Sequence, residues 1–224
     1  ALNEVAAPYK ELDKATQSMK TLGEEGKQLA PKLRDASIMM SKELPFAAGE
    51  FQGAMTDAMA SGIKGGEEGL KGFAETAAKL ATGGGADLGA VVQGLGGSLN
   101  AFGDSSEKAG QYADWYFNIV NFGVTSIEEL NSSLSGVTPT AASMGLTFDQ
   151  VGGSLALMTQ KGVPTAQAVT KLNAVLVEMA KPSAGITAAL NAAGVSQEEF
   201  AKSIKEKGLV PALQVLQEGF KKTG

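Results

Sequence analysis

A short junction recurs five times after residue 122: a glycine, one or two apolar residues, and then Ser, Thr or Pro. The five junctions are Gly123-Val124-Thr125, Gly145-Leu146-Thr147, Gly162-Val163-Pro164, Gly194-Val195-Ser196 and Gly208-Leu209-Val210-Pro211. In such a junction a left-handed glycine ends one helix, and the apolar residue packs back on its last turn. Ser or Thr then caps the following helix, or Pro presets its first turn. The repetition predicts an array of short helices joined by Gly-capped turns.

Three helix starts also place an acid or an amide three residues after the cap, which predicts reciprocal capping boxes. The three starts are Ser126-x-x-Glu129, Thr147-x-x-Gln150 and Ser196-x-x-Glu199. The pairs Glu128/Glu129 and Glu198/Glu199 then fall in first helical turns, where the helix dipole stabilises negative charge. We therefore interpret these paired carboxylates as caps and not as an acid/base pair. Gly103-Asp104, followed by Glu107, predicts a further helix start.

The segments between the junctions have apolar residues at helical spacing and lack the alternation of a strand. The clearest sets are Leu172, Val175, Leu176 and Met179, and then Leu209, Leu213, Leu216 and Phe220. The fold class is therefore predicted to be all-α without a β-sheet. The aromatic residues between Tyr112 and Phe122 include Trp115 and Tyr116. These two share one helical face with Tyr112 and with the apolar Ile119. We interpret them as core, with ligand stacking or partner docking as the alternative.

The N-terminal part differs, with 22 charged residues in 1–80 and only 12 in 81–197. Near its start, apolar residues and one Thr recur in alternating steps of three and four, as in the seam of a coiled coil. This spacing fits an amphipathic helix and a coiled coil equally well. The seam consists of Leu2, Val5, Tyr9, Leu12, Thr16 and Met19. From Gly49 to Gly97 there are 14 of the 29 glycines, which weaken helices, and the run Gly83-Gly84-Gly85 is typical of a loop or hinge.

We therefore predict three stretches: a charged, partly coiled-coil-like helical lead-in over 1–48, a Gly-rich flexible helical segment over 49–100, and a compact helical region over 101–224.

The composition argues against several functions. The chain has no Cys and no His, so it lacks thiolate nucleophiles, imidazole bases and the commonest metal ligands. A site made only of carboxylates stays open, but we expect no catalytic, cofactor-binding or metal-binding residues. The net charge of -5 argues against direct nucleic-acid binding. The sequence has no run of 18 uncharged apolar residues, so no membrane span is predicted, and no signal peptide is evident. Because the chain begins without Met, we expect an excised or processed piece of a longer protein.

The order of these elements resembles the core region of phage tail tape measure proteins over roughly residues 75–220. The resemblance begins with Leu99-Asn100-Ala101-Phe102-Gly103, Ala109, Asp114, Thr125-Ser126-Ile127-Glu128-Glu129-Leu130, Val137-Thr138-Pro139 and Ala141-Ala142-Ser143-Met144-Gly145-Leu146-Thr147. It continues through Leu155, Leu157, Lys161-Gly162-Val163, Lys171-Leu172, Met179, Pro182, Leu190, Ala193-Gly194-Val195 and Phe200. Residues 1–74 match only as a heterogeneous helical lead-in.

The resemblance implies a non-enzymatic structural segment of a virion, made in the bacterial host cytoplasm and held inside the tail tube. Such a protein sets tail length, scaffolds tail-tube assembly and leaves at genome delivery. Its implied partners are the tail tube protein, tail assembly chaperones, tail tip or baseplate proteins, further copies of itself, and the host envelope at delivery. The alternative is a secreted Gly/Ala-rich helical interaction or membrane-active protein. An enzyme ranks third, because the cell-wall hydrolase domains of some family members need residues that are missing here.

Overall fold

The structure, a computed structural model, describes residues 2–223, with side chains from Tyr9 onward. Within that range it contains thirteen α-helices, two short 3-10 turns and no strand, which confirms the predicted all-α class. The helices are α1 (Leu2–Lys20), α2 (Gly23–Met40), α3 (Ala48–Ala60), α4 (Gly66–Gly84), α5 (Leu88–Phe102), α6 (Ala109–Phe122), α7 (Ile127–Ser133), α8 (Thr138–Ser143), α9 (Phe148–Gln160), α10 (Thr165–Ala180), α11 (Ala184–Ala193), α12 (Gln197–Lys207) and α13 (Leu209–Thr223). The 3-10 turns span Ser106–Lys108 and Leu134–Gly136.

One hydrophobic cluster extends through the chain from Met19 to Leu216. At one end α1 packs on α2 and α3, and α3 contacts α4 and α5. In the middle α5 contacts α7 and α8, while α6 packs on α4 and α9. At the other end α13 packs on α11 and α12. Helices from all three predicted stretches contribute to the cluster. The division at residues 48 and 100, and the greater flexibility of 49–100, remain predictions.

The second half of the α1 seam, from Leu12 to Met19, is buried against neighbouring helices of the same chain. Leu12, Thr16 and Met19 are buried, whereas Tyr9 is exposed. Leu2 and Val5 lie outside the residues whose side chains are described. Of the two interpretations, the buried half of the seam matches an amphipathic helix that packs on α2 and α3.

Most of the recurring junctions have the predicted backbone. The glycines have positive φ at four of them, with 78° at Gly145, 86° at Gly162, 75° at Gly194 and 82° at Gly208. Gly208 combines this φ with ψ -173° and is therefore outside the left-handed helical region that was predicted. At Gly145 and Gly194 the turn is closed by the paired hydrogen bonds of a Schellman motif. Leu146 N donates to Ala141 O over 3.1 Å, and Val195 N donates to Leu190 O over 3.0 Å.

The first junction was wrongly predicted. Gly123 is extended, with φ -98° and ψ -178°, and Val124 is exposed. A Cβ built at Gly123 would lie 2.6 Å from Thr159 Oγ1 and 3.1 Å from Ala156 Cα. Glycine is needed there because the end of α6 passes close to α9, and the sequence contains no local signal of that approach.

The glycine run at 83–85 also differs from the predicted loop. Gly83 and Gly84 are the last residues of α4, and only Gly85 is left-handed, with φ 63°. A Cβ on Gly83 would lie 2.6 Å from Phe117 Cζ, and one on Gly84 would overlap Ile127. These two glycines therefore let α6 and α7 pack against the end of α4.

Two helical glycines give opposite predictions for stability. A Cβ on Gly219 would lie 2.6 Å from the carbonyl carbon of Ala189, where backbone and not a flexible side chain stands in the way. We expect Gly219→Ala to lower the free energy of unfolding by about 1–3 kcal/mol through overpacking. Gly153 in α9 has open space around it, so Gly153→Ala should raise stability by about 0.5–1 kcal/mol.

Urea unfolding monitored by circular dichroism measures the free energy of unfolding of both variants. Equal destabilisation by the two substitutions would contradict the close contact between α11 and α13.

Candidate functional site

The largest aromatic cluster is centred on Phe148, the first residue of α9. Its ring centroid lies 4.8 Å from that of Tyr112, 5.4 Å from that of Tyr116, 5.8 Å from that of Trp115 and 5.9 Å from that of Phe102. Phe148, Tyr112 and Tyr116 are buried, while Trp115 and Phe102 are partly buried. The cluster joins α5, α6 and α9, so its central rings belong to the core.

The two tyrosine hydroxyls of this cluster have polar partners. Ser98 Oγ and Tyr116 Oη share a hydrogen bond of 3.1 Å, and Tyr112 Oη donates to Asp104 Oδ2 over 2.8 Å. Burial raises the pKa of both tyrosines above the ordinary value, so each hydroxyl is protonated at neutral pH. These bonds satisfy hydroxyl groups that would otherwise be costly to bury.

Asp104 was expected to start the helix that carries Tyr112, and this was wrong. A 3-10 turn comes first, with Ser105 at its N-terminus, and α6 begins only at Ala109. Asp104 instead accepts hydrogen bonds from Lys108 and Tyr112. Burial alone would raise the pKa of Asp104, but these two bonds outweigh it and hold the pKa below its usual value.

The paired acids lie in first helical turns, as predicted. At α12 the box is complete: Glu199 N donates to Ser196 Oγ over 3.1 Å, and Ser196 N donates to Glu199 Oε2 over 3.0 Å. The bond from the Ser196 backbone lowers the pKa of Glu199. At α9, Gln150 Oε1 accepts from Thr147 N over 3.3 Å.

The box predicted at α7 is only half formed. Glu129 N donates to Ser126 Oγ over 3.1 Å, but the Glu129 carboxylate turns to another helix. It accepts from Thr165 Oγ1 over 2.6 Å and from Thr125 Oγ1 over 3.1 Å. Thr165 is the buried first residue of α10, so its hydrogen bond to this carboxylate links α10 to the first turn of α7.

Neither acid pair is part of a larger acidic cluster among the described side chains. Among the side chains that the structure describes, from Tyr9 to Thr223, no cluster of three or more acidic groups is placed to hold a metal ion. The expectation that the chain has no catalytic, cofactor or metal residues remains a prediction. None of the described helices combines the length and the apolar character needed to cross a bilayer.

Two grooves that are both lined by α10 and α13 are mostly apolar. A groove of about 780 Å³ lies between α10, α11 and α13 and is lined by Val175, Met179, Ile186, Leu213, Leu216 and Phe220, among others. A second groove, of about 430 Å³, lies between α9, α10 and α13. Val175, Leu213 and Phe220 belong to the sets of apolar residues with helical spacing, and they are exposed here. Nothing in their spacing distinguishes them from their buried neighbours.

The described residues thus form an all-helical fold with apolar grooves on its surface. The family model described as phage-related minor tail protein matches residues 34–224, which is most of the chain. The chain belongs to this family and is a structural component of a phage tail. It is therefore a virion component.

Two curated relatives confirm the resemblance to tape measure proteins. The tape measure protein of Pneumococcus phage Dp-1 is 26% identical over 167 residues, which cover 74% of this chain and 14% of that protein. The probable tape measure protein of Clostridium phage phiCD119 is 31% identical over 176 residues, which cover 78% of this chain and 19% of that protein. The chain thus spans less than a fifth of either relative. No solved structure matches it.

Two phenylalanines test the importance of the aromatic cluster. We expect Phe148→Ala to lower the free energy of unfolding by about 3–5 kcal/mol, because it removes the ring at the centre of the cluster. Phe122→Ala is the matched control, because that ring is 70% exposed and should contribute less than about 0.5 kcal/mol. Chemical denaturation measures both. A loss of similar size for the two variants would contradict a cluster centred on Phe148.

The lowered pKa of Asp104 predicts a pH dependence. A carboxylate with a folded-state pKa below its unfolded-state value stabilises the fold above the unfolded pKa of about 4. That contribution is lost as the pH falls through the folded-state pKa. We expect Asp104→Asn to reduce stability at pH 7 more than at pH 2.5, as measured by urea unfolding at both values. A loss that is independent of pH would contradict the prediction.

Proposed function

We propose that this chain is a structural segment of a tape measure protein that sets tail length and scaffolds assembly of the tail tube. The observation that carries the proposal is its similarity to two tape measure proteins over about three quarters of its length. In this proposal the chain lies inside the tail tube, after synthesis in the host cytoplasm, and is released at genome delivery. Its role is mechanical and involves no catalysis.

The proposed partners are the tail tube protein, tail assembly chaperones, tail tip or baseplate proteins and further copies of the chain. Contact with the host envelope is proposed for the delivery step. Direct nucleic-acid binding is not part of the proposal, because the net charge is -5. The exposed apolar grooves support contacts with other proteins, since large apolar patches commonly mark interaction sites.

The compact fold constrains how such a segment could act as a ruler. A continuous helix rises about 1.5 Å per residue, so its length reports the number of residues directly. Here the thirteen helices pack back on one another, and the end-to-end distance of the folded unit is much shorter than that of its helices in line. The change in tail length per deleted residue therefore distinguishes an extended segment from a folded one.

In-frame deletions in the gene that encodes this chain test the ruler. Removal of α11 to α13, residues 184–223, should shorten the tail by about 60 Å if these residues are extended as helix in the particle. Electron microscopy of purified particles measures the length. Replacement of the same residues by an unrelated helical segment of equal length is the control and should restore the tail.

Several deletions of different size should give lengths that fall on one line. If tail length stayed constant over all of them, the deleted residues would have no ruler role. A shortening much smaller than 1.5 Å per residue would show that the segment acts as a folded unit.

A further inference from the structure

Eight of the ten large hydrophobic side chains recorded as exposed lie between residues 122 and 220. Five of them, which we call the apolar strip, lie on α9, α10 and α13 and are 39–63% exposed. They are Leu157, Val175, Val210, Leu213 and Phe220. A solvent-facing row of this kind is unusual in a chain in which only two other aromatic rings, those of Tyr9 and Phe122, are exposed.

The strip is continuous because its two grooves share side chains. Val175 and Leu213 line both the groove of about 780 Å³ and the groove of about 430 Å³. Leu157 extends the second groove onto α9, and Phe220 extends the first along α13. The strip therefore offers a ridge of large side chains on α13 beside an open apolar groove.

Lysines border the strip without ion-pair partners. Among the described residues, Lys171, Lys207 and Lys221 line its grooves and form no ion pair. The acids of the same lining are engaged at helix starts: Glu178 accepts from Ser183 N over 3.0 Å, and Asp149 lies in the first turn of α9. Residues 161–224 carry eight lysines against five glutamates, although the whole chain is acidic. The strip is therefore apolar with a positive border.

The opposite character is found on a groove of about 400 Å³ between α2 and α4, which we call the acidic groove. It contains Met39, which is 65% exposed, and the half-buried Met40. Asp35 and Glu43 line it and form no ion pair among the described residues, while Lys32 is paired with Glu67 over 3.6 Å. Methionine is a flexible side chain that adapts to irregular apolar grooves.

We propose that the apolar strip of one copy of this chain docks on the acidic groove of a second copy. Met39 of one copy enters the groove between α10 and α13 of the other, and the unpaired acids Asp35 and Glu43 face the unpaired lysines of the strip. Pairing of strip with strip would place Lys171, Lys207 and Lys221 against the same lysines. Electrostatic complementarity therefore selects the unlike pairing.

This contact is heterologous, because its two surfaces lie on different helices. The strip uses α9, α10 and α13, whereas the acidic groove uses α2 and α4, and α2 packs only on α1, α3 and α4 among its principal contacts. Each copy thus keeps one free surface after docking, and repetition gives an open chain of copies or a ring. The inference rests on the self-association included in the proposed function.

Two variants with one damaged surface each provide the test, with the purified chain alone. The strip variant is Leu213→Glu combined with Phe220→Glu, and the groove variant is Asp35→Lys combined with Met39→Lys. Sedimentation velocity from about 1 μM to about 1 mM covers the range of weak interfaces. We expect the unchanged chain to form oligomers of increasing size and each variant to stay monomeric.

An equimolar mixture of the two variants should form dimers and nothing larger. The groove variant still has an intact apolar strip, and the strip variant still has an intact acidic groove, so each pair can form one contact only. Val177→Glu and Asp114→Lys are the matched controls, because both residues are exposed but line neither surface. They should oligomerise like the unchanged chain. Circular dichroism checks that each variant is folded, and the milder variants Leu213→Ser and Glu43→Lys replace any that is not.

The proposal is overturned if the unchanged chain is monomeric over the whole range, or if the mixed variants do not associate. It is also overturned if the groove variant still dimerises by itself, which would indicate contact of strip with strip. Because no phage particle is involved, a failure here leaves the tail-length role standing, and a failed deletion series leaves this contact standing.

Discussion

The packing of Phe148 depends on the junction that precedes it and in turn organises three helices. Gly145 ends α8, Leu146 closes the Schellman turn, and Phe148 becomes the first residue of α9. That position brings its ring within 6 Å of four aromatic rings on α5 and α6. In a chain with only 13 aromatic residues, this cluster concentrates large apolar area at one point. The short helices α7 and α8 could not fix these orientations by themselves, because isolated helices of six or seven residues are unstable.

Glycines and alanines set the distances between the remaining helices. At Gly219 the backbone of α13 approaches Ala189 so closely that no side chain would fit, and at Gly84 the side chain of Ile127 occupies the same space. A helical glycine costs up to about 1 kcal/mol relative to alanine, and here the close contact compensates for it. The fold therefore combines helices of low intrinsic stability with contacts that depend on the whole arrangement.

The exposed residues of the apolar strip connect this fold with the proposed role. The chain forms a cluster from Met19 to Leu216 and still leaves Leu213 and Phe220 in contact with solvent. In the proposed role the chain contacts other tail proteins, and a surface that is apolar, with positive charge at its border, suits an acidic partner. The acidic groove of a further copy has that chemistry. Self-association would then arise from the fold itself and would not require a coiled coil of α1.

The sequence by itself determined the all-α class, most of the helix ends and the capping role of Glu199, because these depend on local φ preferences, on side-chain bonds within three residues and on helical periodicity. It also determined the family. Only the tertiary structure decided that Gly123 is extended, that Glu129 bonds Thr165 instead of completing its box, and that Leu213 is exposed while Leu216 is buried. Each of these depends on which helix lies opposite. At Gly123 and Glu129 the deciding residues are Thr159 and Thr165, each 36 positions away in sequence. Local periodicity gives the apolar face of a helix, but it cannot tell how much of that face another helix covers.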